Sequence, residues 1–343
     1  MQTCTWAPTV FQGTQVVDKA TSPSTLPAGD DLLRITTGLV NKYEDMGISH
    51  LLIAQRWWGN GEEIEASSLD CLAMTALFAS CTQRMQLITA IHPGFFSPTA
   101  IAKWGATLDR ITNGRWSINV TSGWNMQEFD MYGIDKLDHD KRYQRSAEFI
   151  EVLRGAWQHQ PFSYTGKYYQ TDGLRLEPKP THPLQVFQGG QSDAAIQLAA
   201  QHSDWMFMNG GSPENISAII EQVRRACATT GRQVRFAMYA APLCRATDKQ
   251  AWAEIDSRLA RVDPKLVSKR RQRVAGAEGM WSQHNDPMSM LDTNEGYTAR
   301  LVGSPETIMQ RIRVFQEIGV EMMHLDVSDA LFQAEVLPQL ASL

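Results

Sequence analysis

The feature that most constrains this chain is an alternation kept up from one end to the other. Short runs rich in β-branched and aromatic residues take turns with longer segments of helical period. The strand-like runs fall at 3–7, 51–55, 85–89, 116–120, 185–188, 205–208, 234–241 and 322–326. Helical segments are expected at 30–46, where Leu32, Ile35, Leu39, Tyr43 and Met46 share a stripe that Gly47 ends, and after Ser67 and Ser68, which serve as caps for a set including Leu69, Leu72, Ala76 and Leu77. Further helices are expected at 97–111, 139–158, 193–202, 213–229, 249–260 and 331–343. Eight regular alternations favour a closed (β/α)₈ TIM barrel of the α/β class over an open doubly wound sheet.

The chain reads as a single domain over 1–343 with two insertions. Residues 162–180 are rich in aromatics, glycine and proline and predict a β-hairpin before the fifth barrel strand. Residues 262–295 contain KRRQR, lack clear periodicity and predict a lid over the barrel mouth or a surface elaboration.

Composition narrows the possible partners. A net charge of −5 offers no basic surplus for nucleic acid. No apolar run approaches the roughly 20 residues that span a bilayer, and the first residues lack the pattern of a secretory signal, so a cytoplasmic protein is expected. Five cysteines, Cys4, Cys71, Cys81, Cys227 and Cys244, show no metal-ligand spacing and read as free thiols; no metal is expected.

Chemistry in a barrel gathers where the strands end, and three segments stand there. In the first, 114–124, a strand runs into Asn119, whose amide both donates and accepts; it either meets a ligand or satisfies buried backbone groups together with Thr121. In the second, Gly189, Gly190 and Ser192 separate a strand from a helix. The glycines let backbone approach a ligand, and the helix start offers N–H groups to a phosphate, although such turns are often purely structural. In the third, 138–143, Arg142 and Tyr143 sit at a helix start as partners for a phosphate or as part of a solvated first turn. A dry wall is expected from Trp6, Trp57, Trp58, Phe95, Trp124 and Met208, about half of them facing the pocket.

Taken together, the chain resembles the bacterial luciferase-like flavin monooxygenases. The markers are HPGFFSPTAIAKWGATLDRITNGRWSINVTSGWNMQEF, HDKRYQRSAEFIEVLRGAW, YTGKYYQTDG with PKP, QVFQGGQSDAA and GSPETI, in that order along nearly the whole chain. Within the family it is most similar to dimethyl sulfone monooxygenases, then to enzymes that open the pyrimidine ring of uracil, and more distantly to alkanesulfonate monooxygenases. The resemblance implies a two-component enzyme that takes reduced FMN from a separate NAD(P)H:FMN reductase and, with O₂, cleaves a C–S bond of a small organosulfur substrate. No GxGxxG fingerprint follows the first strand, which fits a partner reductase. A homodimer or homotetramer is also implied. By position, Arg56, Trp57, Asn119, Glu128, Arg142, Tyr143, Gly189, Gly190 and Ser192 are the expected cofactor contacts, and Asn119 and His92 the catalytic candidates. Ala90 stands where the uracil-opening enzymes carry threonine, which weighs against that reading. Uracil or amide cleavage, a deazaflavin-dependent dehydrogenase and a non-catalytic flavin-binding barrel are the alternatives.

Overall fold

A computed structural model describes residues 1–11, 26–57, 67–265, 267–268, 286–292 and 294–343. In chain order the strands are β1 (Gln2–Trp6), β2 (His50–Ile53), β3 (Gln86–Ile91), β4 (Trp116–Val120), β5 (Phe162–Thr165) and β6 (Gln170–Leu174). They continue as β7 (Val186–Gly189), β8 (Trp205–Met208), β9 (Arg235–Ala240), β10 (Leu243–Cys244), β11 (Val302–Gly303) and β12 (Val320–Leu325). The helices α1 to α5 are Gly29–Asp45, Cys71–Cys81, Pro98–Thr112, Met126–Met131 and His139–Gln158. Those from α6 to α10 are Asp193–His202, Pro213–Thr230, Asp248–Ala260, Pro305–Ile318 and Ala330–Glu335.

Eight parallel strands close on themselves in the order β1-β12-β9-β8-β7-β4-β3-β2. The strands are largely buried on both faces because helices cover the outside and the barrel fills its own inside. Cys4, Leu52, Ile88, Phe187, Trp205, Phe207, Ala237 and Met322 form that inner cluster. The expected (β/α)₈ barrel is therefore present, and β5 pairs antiparallel with β6 as the predicted hairpin.

Four local expectations change. The start of α2 is capped by Asp70, whose Oδ1 accepts the Ala73 N–H at 2.8 Å, while the Ser68 hydroxyl instead accepts from the Arg56 N–H at 3.0 Å. An aspartate directly before the first turn outcompetes a serine two residues upstream. The buried stripe of α1 centres on Thr36, Val40 and Glu44, leaving Leu39 exposed. Glu44 turns that face inward because its carboxylate accepts the backbone N–H groups of Gln83, Arg84 and Met85. Burial opposes ionisation of Glu44, but these donors and the Arg84 charge outweigh it and hold its pKa below the usual value. Next, α8 is not the seventh barrel helix. It packs with β10, β11 and the 3₁₀ turns Pro287–Met290 and Gly296–Ala299 in a separate apolar cluster, whereas α9 lies against α7 and β12. Finally, the helix expected at 331–343 divides into α10 and the 3₁₀ turn Leu337–Ser342. Most of the expected lid, 262–295, lies outside the described residues.

Candidate active site

Every one of the eight barrel strands contributes, from its C-terminal half or the residues just past it, to a cavity of about 1040 Å³. That size is at the upper end of ordinary small-molecule sites. Trp6 follows from β1, Arg56 from the turn after β2, and Ala90 and His92 from β3. Asn119, Gly189, Phe207, Tyr239, His324 and Asp326 complete the ring from the other strands. The start of α5 adds His139, Arg142 and Tyr143, and the insertion after β9 adds Arg258, Leu291, Asp292, Asn294 and Tyr297.

The register explains how Asn119 reaches the cavity. It is paired between Ala90 on β3 and Phe187 on β7, and side chains alternate along a strand, so Asn119 shares the inward face with both. It is 7% exposed, and its Oδ1 has no protein partner. Buried amide oxygens are nearly always bonded, so this one points to a ligand or water.

Two of the glycine and tyrosine expectations come together at the other end of the wall. Gly190 has φ +130°, and a Cβ there would lie 2.7 Å from the Tyr143 hydroxyl and 3.0 Å from Ala195 Cβ. Only glycine fits this turn. Behind it, the Ser192 hydroxyl caps α6 by accepting the Ala195 N–H at 3.3 Å. Gly189, Gly190 and Gln191 line the cavity, whereas Ser192 is not among its lining residues.

Arg142 lines the cavity, but its guanidinium is 3% exposed as a residue and already engaged. Its Nε donates to the Gly123 carbonyl at 3.2 Å and its Nη1 to the Leu137 carbonyl at 2.8 Å. The side chain thereby ties the turn after β4 to the start of α5, whatever else it contacts.

Trp57 and Glu128 stand behind the wall. The Trp57 backbone N–H donates to Glu128 Oε1 at 3.1 Å, and its ring stacks on Phe95 with centroids 4.2 Å apart. The Trp57 indole N–H also donates to His92 Nδ1 at 3.1 Å. That bond leaves the His92 ring proton on Nε2. Burial, with the Arg56 charge added, lowers the His92 pKa to about 3. His92 is therefore a neutral imidazole with a fixed N–H donor and not a protonated acid near neutrality. Arg56 itself lies over the Trp124 ring, 4.9 Å from its centroid.

Of the expected dry wall, Trp6, Trp124 and Met208 line the cavity, Trp57 and Phe95 sit behind it, and Trp58 lies outside the described residues. Sequence reasoning missed Tyr239, His324 and Asp326. The signal was present in the alternation of Met322, His324 and Asp326, which puts all three on the inward face of β12 and the residues after it. Among the described residues, no cluster of His, Cys, Asp or Glu could hold a metal ion, and no helix is long and apolar enough to cross a membrane.

Comparison with known proteins adds four findings. A family model described as luciferase-like monooxygenase matches residues 9–322. FMNH(2)-dependent dimethylsulfone monooxygenase from Pseudomonas fluorescens (strain Pf0-1) is 34% identical over 292 residues, 82% of this chain and 79% of that protein. The protein of the same name from Pseudomonas putida is 34% identical over 316 residues, 88% of this chain and 79% of that one. Among solved structures, a riboflavin lyase crystallised with modified FMN and riboflavin superposes with a TM-score of 0.79 at 19% identity, covering 100% of this chain and 91% of its own.

Proposed function

The chain belongs to the luciferase-like monooxygenase family, and from that premise we propose that it is a two-component enzyme that uses reduced FMN and O₂ to oxidise dimethyl sulfone. The observation that carries the cofactor part is the buried, unpartnered Asn119 Oδ1 facing a cavity that all eight barrel strands help to line. The substrate part rests on the two relatives named for dimethylsulfone. Cleavage of the sulfone yields methanesulfinate and formaldehyde, with one atom of O₂ entering the products and the other leaving as water.

The residues present fit reduced FMN. Asn119 Oδ1 is an acceptor for a ring N–H, and His92 Nε2–H is a donor held in place by Trp57. Gly189, Gly190 and the α6 N-terminus form a phosphate cradle, with the Tyr143 hydroxyl alongside. When bound, reduced FMN supplies the two electrons that let O₂ be divided between substrate and water. The protein's part is to hold that cofactor, keep the site dry and place the substrate. Trp6, Trp124, Phe207 and Met208 supply apolar walls for this purpose.

A separate NAD(P)H:FMN reductase delivers the reduced flavin in this reading. The assembly is a homodimer or homotetramer, a reading supported by α2. Its 11 residues carry no charge, yet Ala73, Ala76 and Ser80 are exposed. A helix apolar on all sides is ordinarily covered. Anaerobic titration with FMN and reduced FMN tests the cofactor reading: the reduced form binds more tightly, and the chain alone consumes no NADH. Rapid NADH oxidation without a reductase overturns it.

A further inference from the structure

We infer that His324 is the substrate-orienting group of the cavity, donating from Nε2–H to an oxygen of an uncharged substrate. The inference rests on the monooxygenase reading above and goes further by assigning the substrate's place.

The geometry begins with the barrel order. In a ring of eight strands, β12 and β4 are four positions apart, so His324 and Asn119 project from opposite walls. The phosphate cradle belongs to β7 and α6, next to β4, which leaves the β12 side of the cavity for the substrate. His324 is 2% exposed and its Nε2 has no protein partner. An orphaned ring nitrogen inside a barrel costs stability unless a ligand or water meets it.

Its surroundings define the ligand. Trp6, Tyr239 and Phe207 pack around the ring, with centroids 4.4, 5.2 and 5.6 Å away. Burial alone lowers the His324 pKa to about 3, so the ring is neutral and offers no positive charge to an anion. Burial first, then Asp292 and Asp326, raise the Tyr239 pKa well above its usual value. Of the cations lining this side, Arg258 is committed to Glu254 Oε1 and the Tyr297 hydroxyl, both at 2.6 Å. A methyl sulfone suits such a box, with methyl groups against the aromatic rings and a sulfone oxygen on Nε2. A sulfonate of similar shape would meet a neutral imidazole, which offers one hydrogen bond and no charge to offset its desolvation.

The test pairs His324→Phe, which keeps a ring but removes the donor, with His324→Gln, which keeps an amide donor. With photochemically reduced FMN, His324→Phe raises KM for dimethyl sulfone about tenfold, the scale of one lost hydrogen bond. His324→Gln stays within about threefold by the same scale, and reduced FMN binding is unchanged in both. In ¹⁵N-histidine-labelled protein with FMN present, dimethyl sulfone shifts the His324 Nε2 resonance and methanesulfonate at equal concentration does not. Equal KM values in wild type and His324→Phe overturn the inference while leaving the monooxygenase reading intact. So does a His324 shift with methanesulfonate equal to that with the sulfone, or no shift with either. A His324 shift with dimethyl sulfone but no turnover of it supports the inference about the pocket and refutes the activity.

Discussion

Arg142→Ala separates two roles that one residue can play at the edge of a cofactor site. The guanidinium donates to the Gly123 and Leu137 carbonyls, and neither oxygen has that bond in the variant. A hydrogen bond to a charged group contributes about 1.5–3 kcal/mol; Gly123 lines the cavity and Leu137 is partly exposed, so water can replace the donor at both. The lower end applies to each, for a total of about 3 kcal/mol. Unfolding entropy near 2.1 cal/mol/K per residue over 343 residues is roughly 0.7 kcal/mol/K, so Tm falls by about 4 °C. Differential scanning fluorimetry reads this directly. Reduced FMN affinity falls as well, because the turn after β4 that carries Gly123 and Trp124 loses its tie to α5. Arg142→Lys, with one donor group in place of a fork, falls between wild type and the alanine variant. A Tm within 1 °C of wild type together with a loss of flavin affinity would refute the positioning role and make Arg142 a direct ligand.

Other perturbations follow from single contacts. Asn119→Ala removes an amide whose oxygen no protein group bonds, so stability changes by about 1 kcal/mol or less. Coupled product in that variant falls at least tenfold while hydrogen peroxide rises, as measured by paired product and peroxide assays. Gly190→Ala forces a side chain into φ +130° and within 2.7 Å of the Tyr143 hydroxyl, and weakens reduced FMN binding at least tenfold in an anaerobic titration. Glu44 has a folded-state pKa below its unfolded value, so its contribution is present above the unfolded pKa and is lost as pH falls through the folded one. Denaturant melts of Glu44→Gln are accordingly less stable than wild type by about 2 kcal/mol at pH 7, and the gap closes as pH drops below about 4. A gap that persists at pH 3 would mean the lost stability is packing and not charge.

Much of the barrel was legible because its signal is local and repeated. Eight strand runs and the long helix α5 follow from period and β-branched content, and the strand positions in the structure match within a residue or two. The misassigned helices share one cause. A helix is expected from the sequence at 249–260 and none at 305–318; which of α8 and α9 covers the barrel depends on contacts with β10 and β11, far apart in sequence. The face of α1 was misjudged because a buried glutamate, invisible to a hydrophobicity pattern, turns the helix toward three backbone donors. In the site, strand-end polar residues and glycines were readable at Asn119 and Gly190. Arg142 was readable only as a cation near the mouth; that its Nε and Nη1 bond two carbonyls is a tertiary fact. His324 carried a usable signal, an inward position on the last strand, which a search confined to motif-like segments passes over.

The most direct test of the central claim is product identification after mixing anaerobic enzyme and chemically reduced FMN with O₂ and a panel of dimethyl sulfone, methanesulfonate, an amide and uracil. The account predicts methanesulfinate and formaldehyde in equal amounts from dimethyl sulfone, only when flavin is supplied reduced, and no comparable product from the others. Hydrogen peroxide alone with every compound, or efficient cleavage of uracil in place of the sulfone, would contradict it.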